Sequence, residues 1–434
     1  MTSPLKIAVA GLGTVGAGTL KLLNANAGFI AAKCGRPVVV TAVSARDAKK
    51  KRDGVDLANV KWFDDPVKMA DQADADVIVE LIGGSEGAAR QTVETALAKK
   101  RHVVTANKAL LAHHGVALAT TAEKAGLTLA YEAAVAGGIP IIKTLREGLA
   151  GNAIQRIYGI LNGTCNYILT TMRATGRDFG DVLKEAQDLG YAEADPSFDI
   201  DGVDAAHKLA ILASVAFGME VDFKSMHVEG IRRIGALDIA YAEQMGFRIK
   251  LIGHASRVGD AFTQRVYPCL ISPDSPLAAV EGVFNAVVTE GDFVGRSVLE
   301  GRGAGAGPTA SAVVADIIDI ASGRKVPTFG VPASVLTKSK IVPISERVGA
   351  YYVRLVVVDQ PGVFADIAAA FRDESVSMES VLQRGKNENA QVNVVIITHD
   401  TQEAPLLRVF KKLEANKAVV EPPHMIRIER FPAP

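Results

Sequence analysis

Short apolar runs punctuate the first third of the chain. K-I-A-V-A at residues 6–10 leads into Gly11-Leu-Gly13-Thr14-Val15-Gly16 and then a helical pattern over 17–24, and further runs follow at 38–43, 75–81, 102–105 and 127–131. Apolar strands of this length, alternating with helices, are covered on both faces, so the pattern predicts a doubly wound parallel sheet. From 152 to 301 the pattern changes to alternating stretches such as 265–271 and 285–289, which predict a mixed sheet covered by helices. Within it, residues 203–217 are apolar nearly all round, the mark of a buried helix. After a Pro- and Lys-punctuated stretch at 325–348 the pattern restarts as strand 351–358, helix 362–372, strands 376–384 and 391–399, helix 405–415 and strand 425–429. That order, β-α-β-β-α-β, is ferredoxin-like. The expected division is therefore an α/β dinucleotide-type domain at 1–150, an α+β domain at 151–304, a return helix at 305–320, a linker at 321–348 and a separable tail module at 349–434.

Composition narrows the partners. Lys plus Arg equals Asp plus Glu at 48 each, so no basic field exists to hold nucleic acid or an anionic membrane. The three cysteines, Cys34, Cys165 and Cys269, have spacings that form neither a disulfide framework nor a zinc site. No apolar run reaches spanning length, and residues 1–6 lead into a strand without an apolar leader. A soluble cytoplasmic protein acting on a small molecule is expected.

The glycine-rich turn has the context that makes it informative. Gly11 permits a tight turn, Gly13 lets the backbone approach a pyrophosphate, Gly16 allows close helix-strand packing, and the following helix presents its positive end through Thr14 and Val15. At the end of the second strand, where an acid would receive a ribose 2′-hydroxyl, the chain reads Ser44-Ala45-Arg46-Asp47. Ser44 and Arg46 suit a 2′-phosphate and favour NADPH, while Asp47 leaves NADH open. The K-K-K-R run at 49–52 also reads as a solvated loop.

Chemistry concentrates around G-Y-A-E-A-D-P-S-F-D-I-D-G-V-D-A-A-H-K-L at residues 190–209. Asp204 and Lys208 are four apart on one face of the buried helix. A buried ion pair kept for stability alone is unusual, so a proton-transfer site is the sharper reading. A calcium loop fails: Asp199, Asp201 and Gly202 fit positions three, five and six, but Ser197 and Lys208 stand where carboxylates are needed.

Several blocks together, T-A-N-K at 105–108, Y-E-A-A-V-A-G-G-I-P at 131–140, G-I-L-N-G-T-C-N-Y-I-L-T at 159–170, G-Y-A-E-A-D-P, D-A-A-H-K-L and G-A-G-A-G-P-T-A-S-A-V at 303–313, resemble the homoserine dehydrogenase family nearly end to end. The resemblance is to the monofunctional type with a C-terminal regulatory domain, without a preceding aspartokinase. It implies a Rossmann-type domain, a substrate and dimerisation domain and an ACT domain, and NAD(P)H-dependent reduction of aspartate 4-semialdehyde to homoserine. It also assigns residues: Lys208 as proton donor, Asp204 orienting substrate, Lys108 as a second positive group near oxygen and cofactor, Glu193 binding the substrate ammonium, and Gly305 closing over the cofactor. Two lysines in one pocket predict a pKa lowered from its free value of ~10.4. Glu132 with the carbonyls of Val135, Gly137 and Ile139 matches a monovalent cation site, usually sodium, of structural role; a metal-free turn packing two domains is the alternative. The turn at 359–364 resembles an amino-acid-binding loop, with threonine as the expected effector, and a homodimer or homotetramer is expected.

Two rivals follow from the same residues. Cys165 in G-T-C-N at 163–166 is a candidate nucleophile for an acylating aldehyde dehydrogenase, provided a basic histidine lies in reach. A non-enzymatic NAD(P)-sensing regulator responsive to an amino acid is the reading from another class.

Overall fold

The computed structural model describes residues 3–384 and 391–431. The first expected strand lies in it, whereas residues 1–2 and, within the expected tail, 385–390 and 432–434 lie outside the described residues. The N-terminal sheet is six-stranded and wholly parallel, in the spatial order Lys61–Phe63, Val38–Ser44, Leu5–Ala10, Val77–Glu80, His102–Thr105, Leu129–Ala130. The edge strand Lys61–Phe63 is an addition to the expected set. Chain order reverses between Leu5–Ala10 and Val77–Glu80, which opens a crevice at the carboxyl ends of those strands, where α/β sheets bind ligands.

Gly11 sits at that crevice with φ +97, and a Cβ there would lie 2.5 Å from the Leu81 carbonyl oxygen. The expected return helix is found at Ala306–Ala321. It buries Val313, Ile317 and Ile320 in the same core as Ile7, Val9 and Val79. Its start presses on helix Thr14–Ala25 so closely that a Cβ on Gly18 would stand 2.7 Å from the Ala306 carbonyl oxygen.

The second sheet carries the middle of the chain and the tail together. Its order is Gly295–Arg302, Phe284–Gly291, Ile154–Ile160, Arg248–Val258, Ala261–Ile271, His424–Glu429, Tyr351–Val358, Gln391–Thr398, Met378–Arg384. The last four strands have the fourth-first-third-second arrangement of a ferredoxin-like module, as the pattern predicts. The module is nevertheless joined to the middle of the chain through this sheet. Strand Ala261–Ile271 pairs in parallel with His424–Glu429, matching Cys269 to Arg427 and Ile271 to Glu429.

The tail's own helices, Val363–Asp373 and Glu403–Glu414, cover Tyr351, Val353 and Leu355 on one sheet face. Alternation sends Tyr352, Ile426 and Ile428 to the other face, where they join the core that contains Ile239 and Tyr241 of helix Ala236–Gln244. Charged groups stitch the same joint. The Arg427 guanidinium donates to Glu229 at 2.8 and 2.9 Å and to Glu403 at 2.8 and 2.6 Å, while Asp238 accepts from Arg354 Nε at 2.6 Å and from the Tyr352 hydroxyl at 3.0 Å. Phe431 stacks on Tyr158 with ring centroids 4.0 Å apart. Among the described residues, no helix is long and apolar enough to cross a membrane.

Candidate active site

Two clefts contain most of the predicted residues. A groove of about 470 Å³ follows the carboxyl ends of the parallel strands and is lined by Gly11, Gly13, Ser44, Arg46, Asp47, Lys50 and Arg52. A Cβ on Gly13 would meet nothing within 4 Å, so the backbone there faces open space, as a pyrophosphate requires. Helix Thr14–Ala25 starts directly after Gly13, which lines the groove, and Thr14 and Val15 form its first turn. Gly16 lies behind it, buried and without room for a side chain against the Gly11 carbonyl.

Ser44 and Arg46 share this groove, and Arg52, which the pattern left to a solvated loop, lines it too. Its Nε donates to the Leu12 carbonyl at 3.1 Å, its other nitrogens donate to the Lys50 and Asp47 carbonyls, and it lies over the Trp62 ring. Arg52 is thereby fixed across the mouth of the groove. These residues fit a dinucleotide: amide-rich backbone at the turn, and the cations Arg46, Lys50 and Arg52 at the end of the second strand, where an adenosine ribose would lie.

A second cavity of about 480 Å³ opens between the sheets. Lys108, Asn162, Glu193, Asp204, Lys208, Asn285 and Gly305 all line it. Lys108 is placed by a chain of hydrogen bonds. The Thr105 hydroxyl donates to buried Glu80 at 2.6 Å, Asn107 Nδ2 donates to the Gly84 carbonyl at 2.7 Å, and Asn107 Oδ1 caps helix Lys108–Lys124 at the Leu110 amide. Asp204 and Lys208 come from helix Val203–Phe217, which is buried over nearly its whole length, as its composition predicts.

Asp204 lies between the two ammonium groups. Its Oδ2 accepts from Lys208 Nζ at 2.6 Å and Asn162 Nδ2 at 2.8 Å, and its Oδ1 lies 3.0 Å from Lys108 Nζ. Burial alone would raise this carboxyl, but the two lysines outweigh it and hold its pKa well below the ordinary carboxylate range. The same geometry corrects the expectation of a depressed lysine. The Asp204 charge raises the Lys108 pKa against the opposing effect of burial, because an anion, not the other lysine, is its nearest charged neighbour. Lys208 Nζ also donates to the Leu161 carbonyl at 2.7 Å, so two of its three N–H groups are committed to protein and one remains for the cavity.

Asn162, quoted in its sequence block without a role, is central here: its Nδ2 bridges Asp199 and Asp204 and its Oδ1 caps the helix that follows. Asp199, which in the sequence fits only a calcium loop that fails, is drawn into this network, and its pKa is raised by burial and by the Asp204 charge. Glu193 is exposed on the cavity rim, beside Tyr191. Cys165 is unsuited to nucleophilic attack. It is fully buried, its thiol donates to the Asp199 carbonyl at 3.2 Å, and burial pushes its pKa well above the ordinary thiol value.

Glu132 lies away from this chemistry. Its carboxylate accepts the backbone amides of Ile142 and Lys143 at 2.9 and 2.8 Å, and burial, with Asp316 nearby, raises its pKa to about 7. Lys143 directs its ammonium to Asp316 and Asp319. A buried carboxylate so placed fits a monovalent cation, as do the carbonyls of a turn with left-handed backbone at Ala136 and Gly137. Of the expected carbonyls, Ile139 already accepts from the Ile141 amide at 2.8 Å. The turn also packs two domains together: Gly138 donates to the Arg302 carbonyl at 3.0 Å.

Comparison with known proteins agrees with this arrangement. Residues 140–318 match the family described as homoserine dehydrogenase, residues 11–132 its NAD-binding domain, and residues 351–417 the ACT domain. The chain is 44% identical over 432 residues to the homoserine dehydrogenase of Neisseria gonorrhoeae, covering 98% of this chain and 99% of that protein. It is 39% identical to the Bacillus subtilis homoserine dehydrogenase over 430 residues, covering 98% of each. Among solved structures, a homoserine dehydrogenase from Thiobacillus denitrificans superposes with a TM-score of 0.92 at 43% identity over 98% of both chains. A hyperthermophilic archaeal homoserine dehydrogenase in complex with NADPH superposes with a TM-score of 0.63 at 28% identity, over 75% of this chain and 99% of that one.

Proposed function

The chain belongs to the homoserine dehydrogenase family, and on that premise we propose how its residues divide the work of interconverting L-aspartate 4-semialdehyde and L-homoserine. The observation that carries the reading is the clamp of Asp204 on two ammonium groups that line one cavity.

A nicotinamide dinucleotide, when bound, supplies the hydride or receives it. Gly11, Gly13, Thr14, Val15 and Gly16 hold its pyrophosphate, and Lys108 and Gly305 flank its nicotinamide end. Ser44 and Arg46, backed by Arg52, select the 2′-phosphate; the archaeal relative's complex with NADPH supports this preference. As the aldehyde carbon is reduced, negative charge develops on oxygen. Lys208 meets that charge with its remaining N–H and donates the proton, and Lys108 adds a second positive charge. Asp204 acts mainly through these ammoniums, since its oxygens are already engaged by Lys108, Lys208 and Asn162. Glu193 receives the substrate ammonium at the rim.

Glu132, with the carbonyls of Val135, Gly137 and Ile139, is the proposed site of a sodium-like ion that steadies the domain junction and takes no part in proton transfer. The ACT tail is the proposed threonine site. The turn at 359–364 borders a 360 Å³ cavity together with Ile367, Gln383 and Val394, a size suited to a small amino acid. The functional unit is proposed to be a homodimer or homotetramer.

The deciding assay follows NADPH oxidation with aspartate 4-semialdehyde, and NADP reduction with homoserine, with and without threonine. Turnover without phosphate is expected, with inhibition by millimolar threonine. Phosphate-dependent turnover abolished in Cys165→Ser would instead establish acyl transfer, and indifference to threonine would remove it as the effector.

A further inference from the structure

Asn285 is 1% exposed, and neither its Nδ2 nor its Oδ1 has a hydrogen-bond partner among the described residues. Leaving both ends of a buried amide unpaired is costly, so such a group calls for an explanation. Its position supplies one: the side chain borders the catalytic cavity with Lys108, Glu193 and Lys208. Strand Phe284–Gly291 holds its backbone between two neighbouring strands.

Two glycines make room for the amide. A Cβ on Gly303 would overlap it, and a Cβ on Gly163 would stand 3.4 Å from Oδ1. These glycines come from different loops, one opening the catalytic helix Gly163–Thr175 and the other just before helix Ala306–Ala321. Backbone is thus packed on both sides of an amide whose polar atoms remain unsatisfied.

We infer that Asn285 reads the α-amino-acid head of the substrate, its Nδ2 donating to the α-carboxylate and its Oδ1 accepting from the α-ammonium. This rests on the proposed assignment of the cavity to the amino-acid substrate. Charge balance favours that ligand over the cofactor's carboxamide. Lys208 and Lys108 are directed at the reacting oxygen and Glu193 carries the only charge proposed for the ammonium, so the α-carboxylate is left to Arg302, which also lines the cavity, and to a neutral donor such as the Asn285 amide. A zwitterion satisfies both ends of the Asn285 amide at once. A site that hydrogen-bonds a substrate group rejects analogues lacking it far more strongly than an apolar pocket does.

The test compares wild type, Asn285→Leu and Asn285→Ser in the oxidation direction, with homoserine and with 4-hydroxybutyrate, which lacks the α-ammonium but keeps the carboxylate. Wild-type oxidation of homoserine is measured first, so that failure of the enzymatic reading shows there and not in the variants. NADP affinity by fluorescence titration and the melting temperature establish that each variant is folded. For Asn285→Leu, kcat/KM for homoserine is expected to fall about ten- to hundredfold, mostly through KM, as for loss of hydrogen bonds to charged groups. The preference for homoserine over 4-hydroxybutyrate should also shrink, by the smaller factor that the ammonium contact alone contributes, and Asn285→Ser should recover part of the loss. A folded Asn285→Leu enzyme with homoserine KM within twofold of wild type overturns the assignment, as does a defect confined to the KM for NADP.

Discussion

Arg427 stands opposite Cys269 in a parallel backbone ladder, and its guanidinium joins Glu403 of the tail to Glu229 of the catalytic domain. The tail therefore completes the catalytic sheet. A chain ending at Arg347 would expose the edge of Ala261–Ile271 and uncover Ile239 and Tyr241. Unpaired strand edges and bare apolar faces invite aggregation. Such a truncation is expected to elute as aggregate in size-exclusion chromatography and to lose most of its activity; a monodisperse, fully active fragment would show that the shared sheet contributes little.

The same joint should weaken in acid. Burial alone would raise the Glu229 carboxyl, but its hydrogen bonds and charge interactions with His227 and Arg427 prevail and bring its pKa to about 2. A carboxylate depressed in the folded state contributes stability that is complete above its unfolded value of ~4.3 and is lost as pH falls toward the folded value. Melting curves of wild type and Glu229→Gln should differ most above pH ~5, with the variant lower, and converge only as pH falls to about 2. A gap that persists unchanged in acid would place the contribution of Glu229 outside its ionisation.

Removing the proposed proton donor should separate chemistry from binding. Lys208→Ala is expected to lose ~2 to 4 kcal/mol of transition-state stabilisation, by analogy with single oxyanion donors, while NADPH still binds. Asp204 would keep Lys108 and Asn162 as partners, so the fold should survive. Activity within threefold of wild type would reduce Lys208 to a charge compensating Asp204.

Cofactor choice should turn on the groove's cations. Arg46→Asp is expected to weaken NADPH much more than NADH, because an acid at the ribose repels a 2′-phosphate and accepts a 2′-hydroxyl. Titration with both cofactors measures it, and equal losses would assign Arg46 to the solvent-facing loop. Arg52, fixed on the Leu12 carbonyl, should then be the residue whose loss discriminates between the two cofactors.

Apolar patterning revealed the elements whose burial is uniform or regular over their whole length. The parallel strands, the buried helix carrying Asp204 and Lys208, and the tail's six-element order were all legible for that reason. Lys61–Phe63 was not, because a three-residue edge strand has no room to establish a period. Motifs placed Gly11, Lys108 and Lys208 at clefts because their chemistry is local. Asn162 and Asn285 escaped notice because an amide's importance depends on partners found, or missing, across the fold. Spacing showed that Asp204 and Lys208 share a face, but not that Lys108 approaches Asp204 from another helix, and this reversed the expected direction of the lysine pKa shift.

The helix Ala306–Ala321 seals the core of a sheet that begins at Leu5. During synthesis the dinucleotide fold therefore cannot close when its last strand, Leu129–Ala130, emerges. One apolar face must wait until residue 321 is available, with the whole catalytic sheet of the middle domain made in between. Domains generally fold as units in the order they are synthesised; here the first domain to begin is held open until the second is nearly complete, which ties the maturation of the cofactor groove to that of the cavity it serves.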